Sequence, residues 1–251
     1  MKNYIESFAR LEKKYQMTRS QYEAFLASLR EYTVEDAYAH STIRSLYYDT
    51  QDHRLILRSM EKPLSKEKLR MRLYGGDTNE EMPAFAELKK KFNHIVYKRR
   101  TEGNLQEIRR WLAGDQSVMK EDQISKELQY VIDQNPTIGP AMLISYKRYS
   151  LVDAADPGTR ITFDTDILWR DWDLENDLSP SGIRLLSEDV VLMEVKISGE
   201  AIPLWLLQCI AKHDIRPSTI SKYGTAFQMS QNSDWLLSHS FHQTVKEKHH
   251  V

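Results

Sequence analysis

Arginine, lysine and glutamate recur in this chain at every second position, the spacing that places side chains on one face of a β-strand. In Leu69-Arg70-Met71-Arg72-Leu73 the three apolar residues share one face and both guanidinium groups the other. Glu87 and Lys89 flank Leu88 in the same way, and Glu194 and Lys196 flank Val195. Arg10, Glu12 and Lys14 alternate near the N-terminus, while Arg160, Thr162 and Asp164 alternate with Ile161 and Phe163. Each charged face alone reads as the solvated side of an antiparallel sheet. Together they are also what a barrel with a polar interior requires. A lumen lined by Arg and Lys suits multidentate binding of phosphate oxygens. A few carboxylates among them suit Mg²⁺ or Mn²⁺, which take oxygen ligands.

These faces need strands to carry them. Residues 43–50, 68–74, 84–91, 94–100, 142–152, 160–168 and 190–198 are rich in β-branched and aromatic types and read as strands. Thr18, with Gln21 three residues on, reads as a helix N-cap ahead of Tyr22, Phe25, Leu26 and Leu29. Helical spacing returns at Leu105, Ile108 and Trp111 before Gly114, and at Ile124, Leu128, Val131 and Ile132 before Pro136. A last helix opens at Pro203. Many strands interrupted by helices predict an α+β fold around an antiparallel sheet or barrel. No repeat or Gly/Ser linker divides the chain, so a single domain over residues 1–237 is expected, with 238–251 a disordered tail.

Composition narrows the function. The chain has 251 residues, with Lys plus Arg at 35 against 36 Asp plus Glu and a net charge of -1. Such a balance gives no overall field for nucleic acid, and no aromatic-basic platform motif appears, so no nucleic-acid partner is expected. No run of about 18 apolar residues suggests membrane insertion, and no signal peptide is seen, which predicts a cytoplasmic protein. The single Cys209 sits in an apolar run and reads as structural. No Gly-x-x-x-x-Gly-Lys loop is present, so a nucleotide would not be held by a P-loop. His40, His94 and His213 lack partners at metal-ligand spacing. Tyr15, Tyr47, Tyr48 and Tyr146 read as packing residues that could also stack on a base, and Asp49 and Asp164 as second-sphere acids.

The order of several short motifs resembles the polyphosphate polymerase domain of the vacuolar transporter chaperone complex, a member of the triphosphate tunnel metalloenzymes in the CYTH-like superfamily. The motifs are Glu12-Lys13-Lys14-Tyr15, Ser45-Leu46-Tyr47-Tyr48-Asp49-Thr50, Leu69-Arg70-Met71-Arg72, Glu87-Leu88-Lys89, Tyr97-Lys98-Arg99, Tyr146-Lys147-Arg148, Arg160-Ile161-Thr162-Phe163-Asp164-Thr165, Glu194-Val195-Lys196 and Ser221-Lys222-Tyr223-Gly224. The resemblance implies an antiparallel tunnel of about eight strands with flanking helices. It also implies an enzyme that moves the terminal phosphate of ATP onto a growing inorganic polyphosphate chain with Mn²⁺ or Mg²⁺.

Carried over by position, Arg70, Arg72, Lys89 and Glu194 become the catalytic set, and Lys14, Lys98, Arg148, Arg160, Lys196 and Lys222 the phosphate cradle. Glu194 becomes the metal ligand, with Glu12 and Glu87 as further candidates. A register slip at Lys98 would send Arg99 inward instead. Tunnel phosphohydrolases carry Glu-x-Glu-x-Lys at the first strand, and Arg10 here replaces the first Glu. That change leans toward polymerase over a triphosphatase or nucleotide cyclase on the same scaffold. A non-catalytic polyphosphate sensor is a third reading, against which Glu194 stands, since a pure anion binder gains nothing from a lumen carboxylate. The expected partners are ATP and polyphosphate, with regulation or membrane attachment left to a separate protein.

Overall fold

A computed structural model describes residues 11–61, 64–92, 95–199 and 201–232. Arg10, His94 and the 238–251 segment therefore lie outside the described residues. In chain order the elements are β1 (Leu11–Thr18), α1 (Arg19–Leu29), β2 (Thr33–Asp49), α2 (Arg54–Met60), β3 (Ser65–Tyr74), β4 (Pro83–Phe92) and β5 (Ile95–Asn104). There follow α3 (Leu105–Leu112), α4 (Gln123–Asp133), β6 (Gly139–Asp153), β7 (Arg160–Arg170), β8 (Ile183–Arg184), β9 (Val190–Ile197), α5 (Leu204–Lys212), β10 (Arg216–Pro217) and α6 (Lys222–Ser230). The α+β expectation holds.

The sheet runs β10-β1-β9-β7-β6-β2-β3-β4-β5, with β8 on β7, and its ladders are antiparallel. Of the sheet or barrel that the sequence predicts, the structure has the open form: among the described residues the ladder does not close, and β10 and β5 remain its ends. The sheet instead curls until side chains meet across the gap: Lys89 Nζ of β4 lies 3.3 Å from Glu12 Oε2 of β1. The curl follows from the ordinary twist of long strands and from bulges in β2 and β6.

Period-two alternation decides which side of the wall is oily. Leu69, Met71 and Leu73 turn outward with Ala84, Ala86 and Leu88 and pack under α3 and α4 through Leu105, Ile108, Trp111 and Leu128. Val191, Met193, Val195 and Ile161 pack outward under α1 and α5. Fully burying each Leu, Ile or Met of this kind contributes about 1.5–3 kcal/mol. The core is thus a shell between wall and helices. A third cluster lies where α2 and α6 cover Ile43, Met142, Ile144 and Trp169.

Helices α1 and α5 start where the sequence says they should. Thr18 Oγ1 accepts from Gln21 N at 3.1 Å while Gln21 Oε1 accepts from Thr18 N at 2.9 Å, the reciprocal cap expected of this pair. Asn104 and Glu107 make the same box for α3. Pro203 is the N-cap of α5 and stands just before its first turn. α2 carries no side-chain cap of its own at His53, whose φ is 55°. Its free N–H groups are met by Asp49, which accepts from Leu55 N at 2.8 Å and Ile56 N at 2.9 Å. Asp49 also accepts from Tyr223 Oη of α6 at 2.9 Å. It is a buried structural clamp between α2 and α6, not an acid beside the cavity. Asp49→Ala should therefore cost about 2–4 kcal/mol, the sum of a lost cap and an orphaned phenol. Urea unfolding would show the shift, and an unchanged midpoint would contradict this account.

Candidate functional site

The registers of β3, β4 and β5 set inward-facing residues in rows. Arg72, Phe85 and Glu102 form one row, Arg70, Glu87 and Arg100 the next, and Lys68, Lys89 and Lys98 the third. Opposite them β1 and β9 place Glu12 against Lys196 and Lys14 against Glu194, a checkerboard of charge. Arg160 lies beside Lys196, and Arg148 beside Asp164. The N-terminus of α6 adds Ser221, Lys222 and Tyr223. These walls enclose a cavity of about 710 Å³. Among the described residues thirteen basic and four acidic side chains line it, so a near-neutral chain has concentrated its cations in one place.

Two buried carboxylates hold this charge. Glu87, 1% exposed, has Arg70 Nη2 at 2.7 Å and Arg70 Nε at 2.8 Å on one oxygen, and Lys98 Nζ at 2.8 Å on the other. Arg100 Nε at 3.5 Å and Arg72 Nη1 at 3.9 Å complete the set. Burial alone would raise the Glu87 pKa, but the charges of Arg70, Arg72 and Lys98 outweigh it and hold it well below the usual carboxylate range. Asp164 accepts from Arg148 at 2.6 and 2.8 Å and from Lys222 Nζ at 2.6 Å. There too burial is overcome by Arg148 and Lys222, and the pKa falls to about 2.

The third row has no acid of its own. Lys68 and Lys89 are directly opposite; Lys89 is met by Glu12 and Lys98 by Glu87, while Lys68 donates to Ser221 Oγ at 3.1 Å. Burial, with Lys14, Lys66 and Lys89 nearby and only Tyr47 opposing, lowers the Lys68 pKa to about 8. Tyr47 donates no countercharge while protonated; its Oη accepts from Arg70 Nη1 at 3.2 Å and its ring stacks on Tyr223 at 4.4 Å. Burial favours its neutral form, yet Arg70, Lys68 and Arg72 bring its pKa down to about 8. The cavity is therefore electrostatically unsatisfied in the way a polyanion would relieve.

Every position carried over from the motifs lines this cavity except Glu87, which lies beneath it as a charge anchor. Lys98 reaches Glu87, while Arg99 Nε bonds Glu127 of α4 at 2.7 Å. Arg160 Nη2 lies 3.0 Å from Asp36 of the β2 bulge. Tyr146 lines the lumen and accepts from Arg72 Nη2 at 3.5 Å, whereas Tyr15 and Tyr48 are buried outside it. His213 bonds Ser28 and His40 stacks on Tyr149, both away from the cavity. Lys68 and Arg100 also face the lumen, each sharing the parity of Arg70 or Lys98, which is the sequence signal that marks them.

Glu12 and Glu194 are diagonal neighbours on the lumen face, and among the described residues no group of three or more His, Cys, Asp or Glu could hold a metal. Glu194 lies 2.6 Å from Lys196; burial opposes its ionisation, but Lys196, Arg148 and Lys14 hold its pKa far below the usual range. Carboxylate oxygens are the donor type that Mg²⁺ and Mn²⁺ take, and Glu12 and Glu194 both line the cavity.

Fold and cavity define the class: a tunnel protein whose curled antiparallel sheet turns a cation-rich face inward. The chain belongs to the VTC domain family, whose model matches residues 9–231. It is similar in structure to a proposed adenylate cyclase from Bacillus halodurans, at a TM-score of 0.55 and 12% identity over 86% of this chain and 96% of that one. A second proposed adenylate cyclase, from Vibrio parahaemolyticus, matches at a TM-score of 0.46 and 11% identity over 88% and 98%. No curated protein sequence matches the chain. No described helix is long and apolar enough to cross a membrane. Family and fold together make this a polyphosphate or triphosphate tunnel protein.

Linkage to pH follows from Asp164. Its folded pKa is depressed from 3.8 to about 2, so its ion pairs stabilise the fold above pH 4 and are lost as pH falls toward 2. The contribution is about 2–3 kcal/mol at one pKa unit per 1.36 kcal/mol. Asp164→Asn should be less stable than the parent at pH 7, with the gap closing by pH 2; a gap independent of pH would refute the linkage.

Proposed function

We propose that this protein is an ATP-dependent polyphosphate polymerase that transfers the terminal phosphate of ATP to a polyphosphate chain within the tunnel. The observation that supports the reading is the cavity in which rows of arginine and lysine lie side by side, in a chain of the VTC domain family. Phosphoryl transfer needs little covalent help; it needs the charge that spreads over the transferring group to be met by cations already in place. Arg70 and Arg72 are held by Glu87, and so would meet that charge with little reorganisation. Lys14, Lys68, Lys89, Lys98, Arg148, Arg160, Lys196 and Lys222 would bind the remaining phosphates of donor and acceptor. A phosphate chain end is already anionic, so no strong general base is required.

Glu194 and Glu12 would hold a Mg²⁺ or Mn²⁺ ion. When bound, that ion would supply charge neutralisation between phosphate oxygens. Lys196 and Lys89, now paired with these carboxylates, would turn to phosphate. Triphosphate hydrolysis on the same scaffold is the competing reading.

The test is incubation of the purified protein with ATP, Mn²⁺ and a short polyphosphate primer beside a Glu194→Gln variant, with products resolved on a gel. Long chains made by the parent, and at least tenfold fewer by the variant, are the expected result. Free phosphate without chains would mean a triphosphatase, and binding without turnover a sensor.

A further inference from the structure

The cavity has one feature that phosphate does not need. β3 ends at Tyr74, β4 begins at Pro83 and β5 ends at Asn104, so Phe85 and Glu102 stand near one mouth of the tunnel. Phe85 is a partly exposed phenyl ring in a row otherwise charged. The Arg100 guanidinium lies 3.5 Å from its ring centroid. Its Nε lies 3.5 Å from Glu87 Oε1 as an ion pair, and its Nη2 donates to Tyr74 Oη at 3.5 Å. Tyr74 meets Phe85 edge-on, at 5.7 Å and 81°. A planar cation lying over an aromatic ring is a platform for stacking a heteroaromatic base. Glu102, paired with Phe85 across the ladder and lining the cavity, adds an acceptor for an exocyclic amino group.

We propose that Phe85, Arg100 and Tyr74 form a subsite for the base of a nucleoside triphosphate, with Glu102 reading an amino group on that base. The proposal rests on the reading of the tunnel as a nucleotide site and adds a direction to it. The base sits at the mouth, the phosphates run inward past Arg72 and Arg70, and the lysine row of Lys68, Lys89 and Lys98 lies toward the growing chain. Inorganic phosphates have no π-surface, so the platform would favour a nucleotide donor over a bare triphosphate.

Titration calorimetry on the full chain, with β,γ-imido ATP and with inorganic tripolyphosphate, separates base from phosphate. Phe85→Ala should weaken the nucleotide analogue about tenfold and leave tripolyphosphate within about twofold, the size expected for one base stacked on an aromatic. Phe85→Leu, which keeps apolar bulk on β4, should show the same selective loss and guards against a folding artefact. Equal losses for both ligands would mean that the ring serves only to position Arg100 for phosphate, and would overturn the proposal. So would an unchanged affinity for the analogue. Tripolyphosphate binding with no binding of the analogue by the parent would sink the nucleotide subsite while leaving the tunnel an anion site. Failure of the parent to bind either ligand would sink the tunnel reading itself.

Discussion

Like charges at close quarters repel, and this cavity gathers thirteen basic side chains against four acidic ones among its described lining residues. Two acids set into the wall make that tolerable. Glu87 shares its two oxygens among Arg70, Arg72, Lys98 and Arg100, and Asp164 takes Arg148 and Lys222. Each is nearly inaccessible to water, so each interaction is screened far less than on a surface. The compensation is deliberately incomplete in its effect: the cations are held in place but not neutralised. Rigid, partly unsatisfied charge is what lets a site meet a polyanion without reorganising.

Everything outside the lumen serves this arrangement. A row of charge can face inward only if the alternate residues face something oily, and the outer shell of helices supplies it through the Leu69, Met71 and Leu88 set and the Val191 and Val195 set. Buried arginines on the outer surface of the wall have a different task. Arg44 donates to Asp77 O at 2.7 Å and Leu178 O at 2.9 Å, and Arg170 to Ser179 O and Ser181 O. Both pin the 173–182 segment over the shell. At Gly182 the chain passes so close that an added Cβ would lie 2.4 Å from Trp169 O. α6 packs Ala226 and Phe227 into the third apolar cluster while presenting Lys222 to Asp164.

Period-two alternation made the inward faces legible, because one face of each strand had to be apolar for the chain to fold at all. It named Arg70 and Arg72 with their direction, and the capping pair at Thr18 and Gln21 located α1. Alternation says nothing about curvature, so it did not decide between an open sheet and a barrel. It also cannot distinguish an acid that faces a ligand from one that anchors cations. Glu87 and Asp164 show this: their role depends on five strands and a helix that meet only in three dimensions. α2 and α6 escaped notice because neither carries a strong cap box of the Thr18 kind; α2 borrows Asp49 from the preceding strand. The pairing of Phe85 with Arg100 was hidden for a similar reason, since the two meet across neighbouring strands only in three dimensions.

The central claim is that the cavity is built with its repulsion stored for a phosphate polyanion. Thermal unfolding of the full chain across a titration of inorganic tripolyphosphate, with sodium chloride at matched ionic strength as control, tests it most directly. At a hundredfold excess over Kd the ligand should add about 2.7 kcal/mol of stability, and salt alone should add far less. A melting temperature that moves equally in both series, or in neither, would contradict the account.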